Sequence, residues 1–249
     1  MKHLRCVILY QLGVLVSANL APELALADVK KFEPSSQSSV EPTGEIFTGG
    51  TLTGNTWITW GGVVKSLSGS LYDEGWRLRA LAAYGQYEFT SGGLPNTANP
   101  ALFEITAGYQ FKTGPAISKL YLGLHGEQHK FARPAPGNRL ARMDYGLKVI
   151  SENWIDLPMR SFVSLDGSFS TLNTAYQGQL RVGTGHYVER LSMGPELQVV
   201  GNEEFYQLRF GGFARWKLET GQIEASAGYT RDYNEKGSPY FSASWLKRF

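Results

Sequence analysis

The chain ends Ser238-Pro239-Tyr240-Phe241-Ser242-Ala243-Ser244-Trp245-Leu246-Lys247-Arg248-Phe249. In an extended strand Phe241, Ala243, Trp245 and Phe249 share one face, and Ser242, Ser244 and Arg248 share the other. Alternation that stops on an aromatic residue is the pattern of the closing strand of an outer-membrane β-barrel, where one face meets lipid and the other an interior. Lys247 falls on the lipid side. Its place at the strand's end lets the ammonium reach the headgroups while its stem stays in the apolar layer.

The rest of the chain is read outward from that strand. Residues 1–27 form an expected secretory signal peptide: Lys2 and Arg5 precede the apolar stretch 7–16, and Ala25-Leu26-Ala27 is a small-x-small cleavage site before Asp28. Its removal takes away Lys2, Arg5 and Glu23, so the formal charge of +2 falls by one unit to +1. Cys6 lies in this leader, and the expected mature chain has no cysteine for disulfides. Residues 28–43, rich in Ser, Pro and charge, are expected to be a flexible periplasmic lead-in, followed by a barrel domain over 44–249. Nothing in the charge balance marks a nucleic-acid partner.

No run of eighteen apolar residues follows the leader, which excludes a helical membrane protein. A membrane barrel escapes that test because each strand alternates its apolar residues with polar ones. The 29 glycines and the 32 aromatic residues (6 Trp, 13 Tyr and 13 Phe) suit that class. Turn signals divide the chain into twelve expected strands: 45–53, 56–67, 76–89, 101–111, 119–130, 140–154, 160–171, 175–187, 191–200, 205–218, 222–233 and 240–249. The predicted fold is all-β, an antiparallel up-and-down transmembrane β-barrel of about twelve strands.

Period two is clearest in the tenth strand, where Tyr206, Leu208, Phe210, Ala214, Trp216 and Leu218 oppose Gln207, Arg209, Arg215 and Lys217. An even strand count puts both termini on the periplasmic side, and the longer connections, 90–100 and 131–139, then lie outside. The same threading gathers Trp76, Trp154, Trp216 and Phe249 at the inner rim. Phe89, Tyr176, Tyr206, Tyr229 and Tyr240 gather at the outer one.

The inward faces supply the candidate lumen-lining residues. They are Arg77 and Arg79 on the third strand, Glu104 on the fourth, Tyr121, His125 and Glu127 on the fifth, and Arg142 and Asp144 on the sixth. Later strands add Asp166, Arg181, Glu196, Arg209 and Arg215, with Lys148 and Glu224 of the same parity. Basic and acidic residues are nearly balanced, so they are expected to pair across strands and fill a narrow lumen, Arg142 with Glu127 or Asp166 among them.

His125-Gly126-Glu127-Gln128-His129 resembles a metal motif only superficially. A zinc-protease helix needs Glu directly after the first His, and on a strand these histidines have backbones roughly 13 Å apart. Ser164, Asp166 and Ser168 share an inward face, and His186 sits near a turn, but no lipid-facing serine and histidine come together. No catalytic residue, metal or cofactor is expected.

The segments Gly75-Trp76-x-Leu78-Arg79, Tyr84-Gly85-x-Tyr87, Gly108-Tyr109-Gln110-Phe111, Gly194-Pro195-Glu196 and Gly201-Asn202-Glu203-Glu204 occur in an order that resembles the cellulose biosynthesis protein BcsS family. The resemblance spans about residues 48 to 245. It implies an exported, non-catalytic outer-membrane accessory of cellulose production, acting as scaffold or narrow conduit, with outer-membrane lipid and cellulose or cellulose synthase components as partners. It carries over no site residues. The rival readings are a small-solute channel and a lipid-modifying enzyme.

Overall fold

The computed structural model describes residues 41–91, 94–133, 141–188, 190–203, 206–232 and 237–249. The expected leader, and all of the lead-in before residue 41, lie outside the described residues. Twelve strands follow in chain order: β1 Gly44–Leu52, β2 Thr56–Ser66, β3 Gly75–Ser91, β4 Leu94–Thr113, β5 Ala116–Phe131 and β6 Asp144–Leu157 form the first half. The second half is β7 Ser161–Ser170, β8 Ala175–Val188, β9 Leu191–Gly201, β10 Tyr206–Leu218, β11 Gly221–Asp232 and β12 Ser238–Arg248.

Every strand pairs antiparallel with its sequence neighbours, and β12 pairs with β1 to close the barrel. The seam runs from Glu45↔Arg248 to Leu52↔Phe241. Beyond it, the Thr43 and Gly44 amides both donate to the Phe249 carbonyl (2.8 and 2.9 Å). No sheet edge is left open at this seam, which is what a strand array needs in a medium without water.

Side-chain parity sorts the residues. Leu120, Leu122 and Leu124 on β5, and Leu208, Phe210 and Trp216 on β10, are exposed on the outer face. Their alternates, among them Tyr121, His125, Arg209 and Arg215, are buried inside. Lys65, on the outer face at the rim, bonds Thr43 Oγ1 (2.6 Å) and lies 5.9 Å from the centroid of the Phe249 ring. The terminal aromatic is thus held at the rim beside a cation.

Two expectations need correcting. Residues 90–100 are not a long connection: β3 and β4 stay paired as far as Ser91↔Leu94. At 17 and 20 residues these strands exceed the roughly 9–11 that cross a bilayer, so β3, β4 and β5 rise as a wall above the end opposite the termini. Polar outward residues there, Glu88, Asn99 and Lys130, suit water rather than lipid. Three of the expected rim aromatics also point inward: Trp154, Phe89 and Tyr240 are buried in the interior. Each has the parity of lumen residues on its own strand, and parity outweighs height on the barrel. Trp76, Trp216, Phe249, Tyr206 and Tyr229 are exposed on the outer face.

Candidate functional site: the filled interior

Strand parity sends charged side chains from nearly every strand into one narrow enclosure. Among the described residues seven basic groups are buried (Arg77, Arg79, Lys119, Lys148, Arg181, Arg209, Arg215), as are seven acidic ones (Glu45, Glu104, Glu127, Glu152, Asp166, Glu196, Glu224). The interior therefore carries no field of one sign. Lys119, Glu152 and Glu45 were missed by the sequence reading, although Lys119 has the parity of Tyr121 and Glu152 that of Lys148.

Three polar clusters partition the lumen. In the first, Glu104 on β4 bonds Arg79 from β3 (3.0 Å) and Lys148 from β6, joining two walls across the intervening β5. Beside it Lys119 approaches Glu152 at 3.4 Å. The second lies toward the end opposite the termini. His129 Nε2 is 2.5 Å from Glu127, its Nδ1 is 3.1 Å from the Tyr87 hydroxyl, and His125 Nδ1 is 2.9 Å from Ser170 Oγ. The His125 Nε2 atom stands 4.0 Å from Glu127, so the two rings converge on one carboxylate despite the spacing of their backbones. Among the described residues no group of three or more His, Cys, Asp or Glu is placed to hold a metal ion.

The third cluster spans β8 to β12. Arg181 donates to Glu196 (2.6 Å) and faces Glu224 (2.8 Å), which also accepts from Arg215 (2.8 Å). Gln179, Ser226 and the Tyr240 hydroxyl complete the shell of Glu196 at 2.8, 3.3 and 2.9 Å. Arg215 also faces an aromatic wall, 5.2 Å from the Trp154 ring centroid and 5.4 Å from that of Phe162. Those rings stack at 3.9 Å, and a Cβ on Gly183 would meet Phe162 at 2.4 Å and Phe213 at 2.9 Å. Glycine at 183 makes room for the stack.

At the end bearing the termini the β2–β3 connection, residues 67–74, folds into the mouth. Leu71 is buried against a cluster that includes Phe47, Val64, Leu81 and Leu246. Arg77 holds the connection, donating to Ser66 Oγ (2.6 Å) and to the carbonyls of Ser70, Leu71 and Asp73 (3.3, 3.2 and 2.5 Å). Gln110 donates to the carbonyls of Leu71 and Asp73 at 3.2 and 2.8 Å. The Leu71 amide donates to the Pro42 carbonyl (2.8 Å), so the incoming chain is tied to the same cap. Loss of the Arg77 side chain should loosen it. In Arg77→Ala a cysteine placed at position 70 should react with a thiol reagent several-fold faster than in the parent, and equal rates would show that Arg77 does not hold the cap.

The structure brings most of the sequence candidates into this enclosure, with Asp144 half-buried at the start of β6. Arg142 departs from expectation: it is exposed, two residues before β6 begins, because the β5–β6 ladder ends at Glu127↔Asp144. It pairs with neither Glu127 nor Asp166. Glu127 instead takes the two histidines, and Asp166 Oδ1 accepts from the Asn153 amide (3.2 Å). Ser164 and Ser168 flank Asp166 on the inner wall, buried with it, and the His186 side chain lies outside the described residues.

A model of the cellulose biosynthesis protein BcsS family matches residues 46–249. The chain belongs to this family. BcsS membership covers the whole barrel, from the second residue after β1 opens to the terminal Phe249. No curated protein matches it by sequence. Among solved structures it is similar to the KdgM porin, at 9% identity and TM-score 0.51, covering 82% of this chain and 99% of the porin. The same porin in complex with disordered oligogalacturonate matches at 10% identity and TM-score 0.51, covering 82% and 99%. The β domain of the Bordetella autotransporter BrkA matches at 15% identity and TM-score 0.52, covering 84% and 100%. At these identities the likeness is one of fold, that of outer-membrane β-barrels.

Proposed function

We propose that this BcsS protein is a non-catalytic outer-membrane accessory of bacterial cellulose biosynthesis, and that it serves as a scaffold rather than an open conduit. Family membership supports the link to cellulose, and the exposed apolar belt of the closed barrel supports the membrane location. The observation that carries the scaffold reading is the interior itself. Charges of both signs are paired across the lumen, and the β2–β3 connection is anchored in the mouth at the termini end. Such a lumen opposes both bulk ion flow and passage of a glucan chain. Its partners would be membrane lipid and cellulose or components of the cellulose synthase complex, met on the outer surface.

A lipid-modifying enzyme fits less well. Ser170 and His125 lie within hydrogen-bond reach of one another but are 0% exposed, on the lumen side of the wall. Two measurements test the proposal. A deletion strain scored for cellulose by dye binding should show reduced cellulose, and unchanged cellulose would sink the accessory role. Purified protein in planar bilayers should give conductance far below that of an open porin, whose 16 to 18 strands enclose a wider lumen. Porin-like conductance would favour the small-solute channel instead.

A further inference from the structure

The cap in the mouth at the termini end, residues 67–74, is held by two kinds of anchor. Arg77, Gln110 and Ser66, which bond its carbonyls, and Lys112, whose amide donates to Glu74 Oε1 (2.7 Å), all stand on barrel strands. These are fixed in the wall. The Pro42 carbonyl, which accepts the Leu71 amide (2.8 Å), is among the described residues the one hydrogen-bonding anchor outside the strands. It lies on the chain that leads into β1, so it is the anchor that can be moved without deforming the barrel.

Residues 42–44 form a strap whose links run in chain order. Gly44 exchanges two backbone bonds with Phe249 at the barrel seam (2.9 Å each). Thr43 joins the same carbonyl through its amide (2.8 Å) and the end of β2 through its own carbonyl and hydroxyl, which accept from Ser66 N (2.9 Å) and Lys65 Nζ (2.6 Å). Pro42 then reaches the cap. Proline has no amide, so its carbonyl is the whole of its backbone bonding, and a pull from the N-terminal side loads this single link first.

The link matters because of where Leu71 lies. Its side chain is buried against Phe47, Val64, Leu81 and Leu246, so its amide has no water to turn to once Pro42 withdraws. A buried donor without an acceptor is costly, and the cap relieves that cost by carrying Leu71 out to solvent. Strap and cap are therefore coupled. Behind the cap Arg77, Gly108 and Tyr121 share one row of the sheet, with the Tyr121 ring lying across Gly108, where a Cβ would meet it at 2.4 Å. The Tyr121 hydroxyl is buried and among the described residues has no hydrogen-bond partner, so an opened mouth would hydrate it.

We infer that residues 42–44 are the strap of a latch, through which the chain before residue 41 controls the cap. Drawing that chain away from the barrel lifts Pro42 from Leu71 and opens the mouth at the termini end. A partner that grips the expected lead-in would thus open the mouth without touching the barrel wall. The inference goes beyond the scaffold reading and rests on neither the membrane nor the cellulose assignment.

The test uses protein lacking residues 1–27, folded in detergent, with Ser70→Cys as reporter, and follows the reaction of that cysteine with a thiol reagent. Two truncations decide it. Removing residues 28–40 leaves Pro42 in place and should leave the rate unchanged. Removing residues 28–42 takes the carbonyl away and should raise the rate about tenfold, the shift expected when a buried amide loses its acceptor. Equal rates in all three proteins would show that Pro42 does not hold the cap, and a rise already at the shorter truncation would place the hold before the strap; either result overturns the inference. Should the longer truncation fail to fold, as lost heat-modifiable mobility would reveal, amide hydrogen exchange on the untruncated protein decides. Its Leu71 amide should then exchange at least about tenfold more slowly than those of Ser68 and Gly69, which are exposed in the same connection. An unprotected Leu71 amide would overturn the inference without any truncation.

Discussion

Replacing Glu104 by leucine should destabilise the folded barrel by about 3–5 kcal/mol, the range seen when one partner of a buried ion pair is removed. Glu104 is 1% exposed and is shared by Arg79 and Lys148, themselves equally buried. Its loss leaves two cations with no carboxylate in contact, in an enclosure too crowded for either to reach bulk water. The penalty comes from the stranded cations more than from the lost attraction, and this distinguishes the prediction from one about a surface pair, worth under about 1 kcal/mol. Glu104→Gln keeps the shape and one acceptor, so it should cost less. Removing the cations as well, in a triple variant with Arg79→Leu and Lys148→Met, should recover much of the loss. Urea unfolding in detergent, followed by tryptophan fluorescence, measures each step. A loss below about 1 kcal/mol for Glu104→Leu would mean that the carboxylate is effectively solvated. The lumen would then be wet, and the scaffold reading would lose its main support.

That cluster also shows what the sequence made legible. Period two assigned Arg79, Glu104 and Lys148 to one side of the sheet, because a strand leaves no freedom about which face a residue takes. It could not say that all three meet, since Arg79 and Lys148 are separated by two intervening strands and converge only because the barrel is narrow. Trp154, Phe89 and Tyr240 were legible by parity, but their height near the rims suggested a girdle instead. Arg142 was misplaced for the opposite reason. Alternation continues in the residues before Asp144 although the hydrogen-bonded ladder with β5 has already ended. The cap formed by Leu71 and held by Arg77 had no signal at all, because a turn packed into a mouth follows no period and is bound mainly through backbone carbonyls.

Arginine on the outer face should block insertion in proportion to depth, and Leu122→Arg should be the most damaging of these substitutions. Leu122 is 58% exposed, with Leu120 and Leu124 beside it on the outer face of β5 and Val149 opposite it on β6. Near the bilayer midplane the expected cost is about 2–4 kcal/mol. Leu147 is only the second outward residue from the far end of β6, and Leu208 holds the same place on β10, so arginine at either should cost less as headgroups come within reach. Arg209→Leu makes the reverse change one residue along from Leu208. Its side chain is buried inside, beside Gln207 at 2.6 Å and the Tyr240 ring at 5.8 Å, and an apolar replacement there meets no lipid penalty. Folding yield into synthetic vesicles, scored by heat-modifiable mobility, should therefore rank Leu122→Arg lowest. Leu147→Arg and Leu208→Arg should fall between, and Arg209→Leu nearest the parent. Lipid is the only solvent that makes this order necessary: a soluble barrel would take up all three outer arginines freely. If they fold as well as the parent does, the exposed leucines face water and the membrane assignment is wrong.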